Sequence, residues 1–348
     1  MQKFLKILFL ILVVPFMASV TISSASAAEK TVGKVIGGQQ HRAPDWFKET
    51  FLDFKEDAAE AAAEGKHAMI FFDLAGCPYC ARMMAESVEP QRALIEPYFN
   101  SIAIDIKGAR EVSTDGENQM TEKQLATKMA IRFTPTIVFL DENAKPVFRI
   151  NGFWNASQFR IALKFVRTKA YKKMKIGAFA KLQKSVPSYK MKDHTLLANV
   201  TDFSKIKTPL LVLFEDETCT ACAELHESVL NRKAVTEELK KFTFVRLDAR
   251  KDNPIIDTDG NKTTTAKWAE KLGVRISPTF ISFDEGKERQ RVDGTLYSHH
   301  FSAILAYVSG KHYKQHATWL SYLGVRSKKM LESGKNVDLS KDGMPLPQ

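Results

Sequence analysis

The sequence predicts an α/β protein built from two copies of one unit, and three observations carry this prediction. A C-x-x-C motif occurs twice, at Cys77–Cys80 and again at Cys219–Cys222. An apolar run precedes each motif and a helix-like stretch begins at it, which is typical of a buried strand followed by a helix. Pro135 then follows Cys77 at almost the same distance along the chain as Pro278 follows Cys219.

Each copy is predicted to run strand, helix, strand, helix, hairpin and helix. The first strand is KHAMIFFD or PLLVLFED, and the second is SIAIDI or FTFVRLD. A strand–helix–strand connection makes a parallel pair, whereas the last two strands form a hairpin. We therefore predict two mixed central sheets in tandem, each flanked by helices. The repeat is too long for a solenoid, whose repeats span about 20–50 residues.

The repeats predict a first domain at 29–185 and a second at 186–332, and the polar residues 333–348 are predicted to be a disordered tail. Residues 143–192 contain thirteen Lys or Arg and no Asp or Glu, in a chain of net charge +11. Within this stretch, FRIALKFVRTKAYKKMKIGAFAKLQK, residues 159–184, is predicted to form a single basic helix that joins the two domains. This basic stretch favours an acidic partner protein or a membrane surface, although lysine stems that cover the core of a solvated helix are the alternative.

The amino end has the features of a secretory signal peptide at 1–28. Lys3 and Lys6 stand beside a mostly apolar run, and Ala25-Ser26-Ala27 supplies small residues for cleavage. The apolar run is shorter than the ~20 residues of a membrane span, and an uncleaved anchor is the alternative. We expect export to the bacterial periplasm, which makes nucleic acid an unlikely partner class.

All four cysteines of the chain lie in the two C-x-x-C pairs, so no cysteine remains for a structural cross-link. A thiolate attacks a disulfide, and a free thiol has a pKa near 8.5. At the start of a helix the unpaired N–H groups stabilise negative charge. Cys77 and Cys219 are therefore the predicted nucleophiles, and Cys80 and Cys222 the resolving cysteines.

The C-x-x-C after the first long strand, together with Thr134-Pro135 or Ser277-Pro278 before the third, resembles the thioredoxin fold. The first copy, with Cys-Pro-Tyr-Cys, resembles the secreted thioredoxins of the SoxW type, and the second, with Cys-Thr-Ala-Cys, the C-terminal domain of DsbD. The resemblance implies that both prolines are cis and that Thr134, Pro135, Ser277 and Pro278 bind an extended substrate peptide. It implies no cofactor beyond the redox-active disulfides, and a membrane electron donor of the DsbD or CcdA type.

The residues inside each motif are expected to modulate the redox potential: Pro78 and Tyr79 in the first pair, Thr220 and Ala221 in the second. Glu215, Asp216 and Glu217 precede Cys219, whereas Asp73 alone precedes Cys77. Acids near a sulfur disfavour its thiolate. We therefore expect the second site to be the more reducing one.

One position departs from the thioredoxin pattern. Thioredoxins carry a buried Asp six residues before the first cysteine, where this chain has Phe71 and Leu213. Asp105 and Asp248 are possible substitutes as proton acceptors. Asp73 and the acids at 215–217 are expected to be more exposed to solvent than the buried Asp of thioredoxins.

Metal binding is the main rival interpretation of the cysteines. Two C-x-x-C pairs can form a four-thiolate zinc site, but the pairs of zinc ribbons lie within about 15–20 residues. Haem attachment needs C-x-x-C-H, and Ala follows both motifs. We therefore predict no metal. The histidines are expected to be solvated surface residues: His226, His299, His300, His312 and His316.

The sequence thus predicts an exported thiol–disulfide oxidoreductase, a reductase whose clients are proteins with disulfides. Two alternatives stay open. Tandem sites also suit a disulfide isomerase or oxidase, and a non-catalytic binding or chaperone module would use the basic 143–192 region instead of the cysteines.

Overall fold

The computed structural model describes residues 32–183, 189–340 and 342. The predicted signal peptide at 1–28 lies outside the described residues, as do residues 341 and 343–348 of the predicted tail. Within the described ranges, every helix is too short or too polar to cross a membrane.

The first repeat and the segment before it contain these elements: β1 (Val35–Ile36), α1 (Phe54–Ala63), β2 (His67–Asp73), α2 (Pro78–Met83), α3 (Arg92–Ile95), β3 (Phe99–Asp105), β4 (Glu111–Ser113), β5 (Gln119–Thr121), α4 (Glu122–Lys128), β6 (Thr136–Leu140), β7 (Pro146–Asn151), α5 (Ala156–Arg167) and α6 (Ile176–Leu182).

The second repeat and the segment after it contain these elements: β8 (Leu210–Glu215), α7 (Thr220–Glu227), α8 (Lys233–Leu239), β9 (Thr243–Asp248), β10 (Pro254–Ile256), β11 (Lys262–Thr264), α9 (Thr265–Lys271), β12 (Thr279–Asp284), β13 (Lys287–Asp293), α10 (Ser298–Ser309), α11 (Trp319–Glu332) and β14 (Val337–Asp338).

Each repeat forms a four-stranded mixed sheet, which confirms the predicted fold class. The strand order is β3-β2-β6-β7 in the first and β9-β8-β12-β13 in the second. The pairs β2·β3 and β8·β9 are parallel, and the remaining pairs are antiparallel. The central strands β2 and β8 are buried along nearly their whole length, because helices cover both faces of each sheet.

Both helices that follow the cysteines are interrupted, although the sequence pattern predicted one helix in each repeat. After α2 the chain makes a π-helical segment at Met84–Val88 and a 3-10 turn at Glu89–Gln91 before α3 begins. Pro90 lacks the N–H that a continuous helix needs at this point. In the second repeat, α7 and α8 are separated by a 3-10 turn at Val229–Asn231.

The predicted basic joining helix is also wrong as a single element. Lys169 has a φ of 51°, in the left-handed region, so α5 ends before it. A short 3-10 turn at Ala170–Lys172 and the separate helix α6 follow. Charge periodicity does not report a backbone reversal of this kind.

The disordered tail predicted at 333–348 is wrong for the part that the structure describes. β14 pairs in parallel with β1, so that Val337 lies opposite Val35. Val337 is 3% exposed, and an apolar side chain buried in this way holds the segment in place.

The polar loops that carry Thr-Asp-Gly form the small hairpins β4–β5 and β10–β11.

Candidate active site

Each C-x-x-C motif stands at the beginning of a helix. Cys77 is the N-cap of α2, its Sγ accepts a hydrogen bond from the Cys80 N–H at 3.1 Å, and Pro78 takes the first helical position, which a proline suits. Cys219 is the N-cap of α7 and its side chain makes no capping bond. Both leading sulfurs therefore lie where helix N–H groups favour an anion.

Both pairs are closed as disulfides, with Cα–Cα distances of 5.3 Å. The resolving cysteines Cys80 and Cys222 are 0% exposed. The leading cysteines are nearly as well covered: Cys77 is 6% exposed and Cys219 is 4% exposed.

The proline positions stand beside the cysteines. The Thr134–Pro135 and Ser277–Pro278 peptide bonds are cis. The Thr134 hydroxyl donates to Cys77 Sγ at 3.3 Å. The Ser277 hydroxyl donates instead to Asp216 Oδ2 at 2.6 Å, which ties the second proline loop to the acidic stretch before Cys219.

The second domain covers the first site. Tyr79, between Cys77 and Cys80, stacks on Tyr297 with ring centroids 4.5 Å apart. Its hydroxyl accepts from the Tyr297 N–H at 2.8 Å and contacts His300 Nδ1 at 3.1 Å. Burial lowers the pKa of His300 to about 3, so the ring is neutral at pH 7 and Nδ1 can accept the Tyr79 proton.

The first domain covers the second site in the same manner. Asn155 Nδ2 donates to Thr220 Oγ1 at 3.2 Å, and Gln158 Nε2 donates to the Ser277 carbonyl oxygen at 2.7 Å. That carbonyl is the group which, by the resemblance, would pair with a substrate peptide. Tyr189, just after the joining segment, packs against Cys219 and Cys222.

These contacts have approximate two-fold symmetry. Tyr297 occupies the position in the second repeat that Asn155 occupies in the first, and His300 the position of Gln158. The interval along the chain is the one that separates Cys219 from Cys77. Each active site therefore meets the beginning of the helix that follows the hairpin of the other domain, α5 or α10. Tyr79 and Thr220 were predicted only to modulate potential, yet they form this interface.

An acid lies four residues before each leading cysteine and pairs with a histidine. His41 Nε2 lies 2.6 Å from Asp73 Oδ1 and 2.7 Å from Oδ2. His226 Nε2 lies 3.1 Å from Glu215 Oε2. The hydrogen bond with Asp73 is the main cause that raises the pKa of His41.

Several predictions about acids and histidines are wrong. Glu215 is 0% exposed and Asp216 8%, although both were expected to be more exposed, and His226, expected to be solvated, is 4% exposed. Tyr189 stacks against the His226 ring, and Glu215 lies on β8 beside Asp248 of the paired strand β9. His299, His300, His312 and His316 are half-buried rather than surface residues.

Asp105 and Asp248, predicted as substitute proton acceptors, lie on the neighbouring strands opposite Asp73 and Glu215. A carboxylate oxygen of each accepts a backbone N–H two residues on, from Lys107 and from Arg250. Their local role is therefore to close the turns after β3 and β9. Sequence reasoning missed His41 because it comes from a segment outside the repeat.

The sequence profile of the thioredoxin-like domain matches residues 54–167 and 199–309. No curated protein matches the chain. Among solved structures, a thioredoxin-fold protein from Helicobacter pylori is 25% identical over 38% of this chain and 82% of that chain, with a TM-score of 0.32.

Two further solved structures are similar to this chain. A thioredoxin from Thermus thermophilus is 26% identical, with 34% and 85% of the two chains covered and a TM-score of 0.27. The DsbD C-terminal domain of Neisseria meningitidis in its oxidised form is 17% identical, with 32% and 87% covered and a TM-score of 0.24.

The profile covers more than half of the chain, once in each repeat. Its two matches contain both C-x-x-C pairs and both X-Pro pairs. The chain therefore belongs to the thioredoxin-like domain family and carries two such domains in tandem.

Proposed function

We propose that the protein is an exported thiol–disulfide oxidoreductase that reduces protein disulfides through both C-x-x-C pairs. The observation that carries the proposal is the repeated arrangement itself. Cys77 and Cys219 each cap a helix, each is already joined to its resolving cysteine, and each stands in a thioredoxin-like domain.

A client reaches these sulfurs only when the two domains move apart. Tyr297 and His300 cover the first site, and Asn155 and Gln158 cover the second. The Ser277 carbonyl that would accept a client peptide is occupied by Gln158 in the closed arrangement. We also propose that the second domain passes electrons to the first, because the acids before Cys219 are expected to make its site the more reducing one.

We also propose an electron donor for the protein and a surface that binds its partners. A reductase in an oxidising compartment needs a source of electrons, which we assign to a membrane donor of the DsbD or CcdA type. The lysines and arginines at 143–192 offer a surface for an acidic partner or for anionic headgroups. The second site remains predicted to be the more reducing one.

Reduction of insulin with dithiothreitol as electron source tests the proposal. We expect Cys77→Ser and Cys219→Ser each to lower the rate and the double variant to fall to the rate of dithiothreitol alone. Circular dichroism spectra of the variants check that the fold is kept. If both single variants and the double variant keep full activity, the oxidoreductase function is wrong.

The redox state of the protein in its compartment separates a reductase from an isomerase or oxidase. A reductase is held mostly as the dithiol, because its donor keeps it reduced. Alkylation of cells before lysis, followed by mass spectrometry of the two C-x-x-C peptides, measures this state. Mostly disulfide at both pairs would favour an oxidase.

A further inference from the structure

An acid–histidine pair stands at the end of the strand that precedes the cysteine pair in each domain. Asp73 is the last residue of β2, and Glu215 is the last residue of β8, the equivalent strand of the second repeat. Their oxygens contact His41 Nε2 at 2.6 Å and His226 Nε2 at 3.1 Å, respectively. Equivalent positions in the two repeats therefore carry the same kind of pair.

The two histidines come from unrelated places in the chain. His41 belongs to the segment before α1, outside the repeat, whereas His226 lies on α7, where the first repeat has Met84. A duplicated structural feature would have kept both partners at equivalent positions. Only the acid is shared, so the common element is the pairing of this carboxylate with an imidazole.

The first pair lies next to the resolving sulfur. A ring nitrogen of His41, a carboxylate oxygen of Asp73 and Cys80 Sγ all lie within 4.8 Å of one another. Cys80 is 0% exposed, so bulk water cannot take its proton directly. The His41 side chain is 7% exposed and that of Asp73 17%, which gives the pair a route to solvent that Cys80 lacks.

The second pair is buried more deeply. The side chains of His226 and Glu215 are 2% and 0% exposed. His226 Nδ1 and Glu215 Oε1 lack hydrogen-bond partners, although Arg246 Nε stands 3.6 Å from Glu215 Oε1. Among the described residues, this pair does not form with Cys222 a cluster like that of His41, Asp73 and Cys80. Tyr189 stacks over the His226 ring and packs against Cys222.

We propose that the Asp73–His41 pair accepts the proton of the resolving thiol Cys80. This inference rests on the proposed oxidoreductase function and names the groups that complete its second step. It also gives the segment that carries His41 a role in the first active site.

In the first domain the reaction consists of two successive thiol–disulfide exchanges. The Cys77 thiolate attacks a client disulfide, and one client sulfur leaves. The Cys80 thiol gives its proton to the Asp73–His41 pair, and the resulting thiolate attacks Cys77 Sγ. The bond between Cys77 and the client breaks, and the second client sulfur leaves and takes up a proton from the pair or from water. Two electrons have passed from the dithiol to the client.

The pKa of the resolving thiol sets how far loss of the proton acceptor should slow resolution. A free thiol with a pKa near 8.5 is only about 3% ionised at pH 7. Removing the acceptor therefore slows resolution by up to about 30-fold and leaves the first attack by Cys77 unchanged. A purely structural role would slow both steps together.

The experiment uses the full chain with Cys219→Ser and Cys222→Ser, so that the first site alone reacts with oxidised insulin. Quenched samples report attack as loss of free Cys77 and resolution as decay of the Cys77–insulin adduct. With Asp73→Asn or His41→Gln we expect attack within about twofold of the parent and resolution about 10- to 30-fold slower. Asp73→Glu is expected to restore most of the rate.

Asp105→Asn is the matched control, because Asp105 lies opposite Asp73 on the next strand. Unchanged resolution in Asp73→Asn and His41→Gln, or an equal loss in Asp105→Asn, would overturn the inference. Loss of the parent's activity in EDTA would assign the cluster to a metal and would also overturn it. A parent that forms no adduct contradicts the proposed function itself, so the two failures are distinguishable.

Discussion

Arg82 and Glu224 occupy the same position in the two repeats and form an ion pair with each other. Each stands two residues after a resolving cysteine, and Arg82 Nη2 lies 2.7 Å from Glu224 Oε2. The Arg82 guanidinium also lies 4.1 Å from the centre of the Phe153 ring. A duplication with no later change would place identical residues at this symmetric contact, and two identical charges would repel each other. Arg82 and Glu224 instead carry opposite charges, which attract each other and hold the domains together.

Reversal of one charge in this pair should open the domain interface. We expect Arg82→Glu to cost about 2 kcal/mol, the low end for a buried hydrogen-bonded charge pair, because the Glu224 side chain is 33% exposed. This corresponds to about 30-fold in the opening equilibrium. The rate at which iodoacetamide alkylates the reduced leading cysteines should rise accordingly.

The double variant Arg82→Glu with Glu224→Arg should restore the slow alkylation, since the charges are again opposite. Arg92→Glu is the control, because the Arg92–Glu96 pair is on the surface and half-exposed. If alkylation is already fast in the wild-type protein and does not change in Arg82→Glu, the interface does not limit the access of iodoacetamide to the leading cysteines.

The Tyr79 hydroxyl is predicted to hold the first site against the second domain. Tyr79→Phe leaves the buried Tyr297 N–H without its acceptor and His300 Nδ1 without its donor. An unsatisfied buried polar group costs about 1–3 kcal/mol. Hydrogen exchange of a peptide containing Tyr297 should therefore become faster, whereas Tyr98→Phe, on the surface, should leave it unchanged. Equal protection in wild type and Tyr79→Phe would refute this role.

The two domains should respond alike to loss of equivalent core rings. Phe159 and Phe301 occupy the same position in the two repeats and are 0% and 1% exposed. Truncation of either to Ala should lower the free energy of unfolding by about 3–5 kcal/mol, as measured by urea denaturation. Phe51→Ala should change it by less than about 0.5 kcal/mol, because Phe51 is 97% exposed. A small effect at Phe159 or Phe301 would contradict the packing described.

Asp57 should make the protein less stable as the pH rises from about 4 to about 6. Burial raises its pKa to about 6, against a hydrogen bond from Thr50 that lowers it. An unfolded Asp has a pKa near 3.9, so the native state binds the proton more tightly and stability falls between these values. Two pKa units correspond to about 3 kcal/mol.

Asp57→Asn should remove this fall, so that the variant gains stability relative to wild type between pH 4 and pH 7. Urea denaturation at several pH values measures the difference. Glu117→Gln, on an exposed loop, should follow the wild-type curve. A variant that keeps the wild-type slope would show that Asp57 titrates normally.

The fold was predictable because its signals are local. The buried runs of β2 and β8, the motif that opens α2 and α7, and the constant spacing between equivalent residues of the two repeats are each visible along the chain. The breaks within the predicted long helices were harder to predict from the sequence. Pro90 indicates one of them, but a lysine does not indicate the left-handed backbone that Lys169 adopts.

The active site was only partly predictable because its contacts join distant residues. The cysteines and the X-Pro pairs are visible as motifs. The contact of Tyr79 with Tyr297 spans 218 residues, and the pairing of His41 with Asp73 brings in a segment outside the repeat. The burial of both leading cysteines follows from the docking of two folded domains, which sequence periodicity does not encode.

Mass spectrometry of a single turnover shows whether both cysteine pairs reduce a client disulfide. The fully reduced protein is mixed with disulfide-bonded insulin in the absence of other thiols, and free thiols are alkylated over time. We expect the Cys77–Cys80 and Cys219–Cys222 pairs both to become disulfides as insulin disulfides disappear in equal number. Persistence of both dithiols beside intact insulin would contradict this expectation.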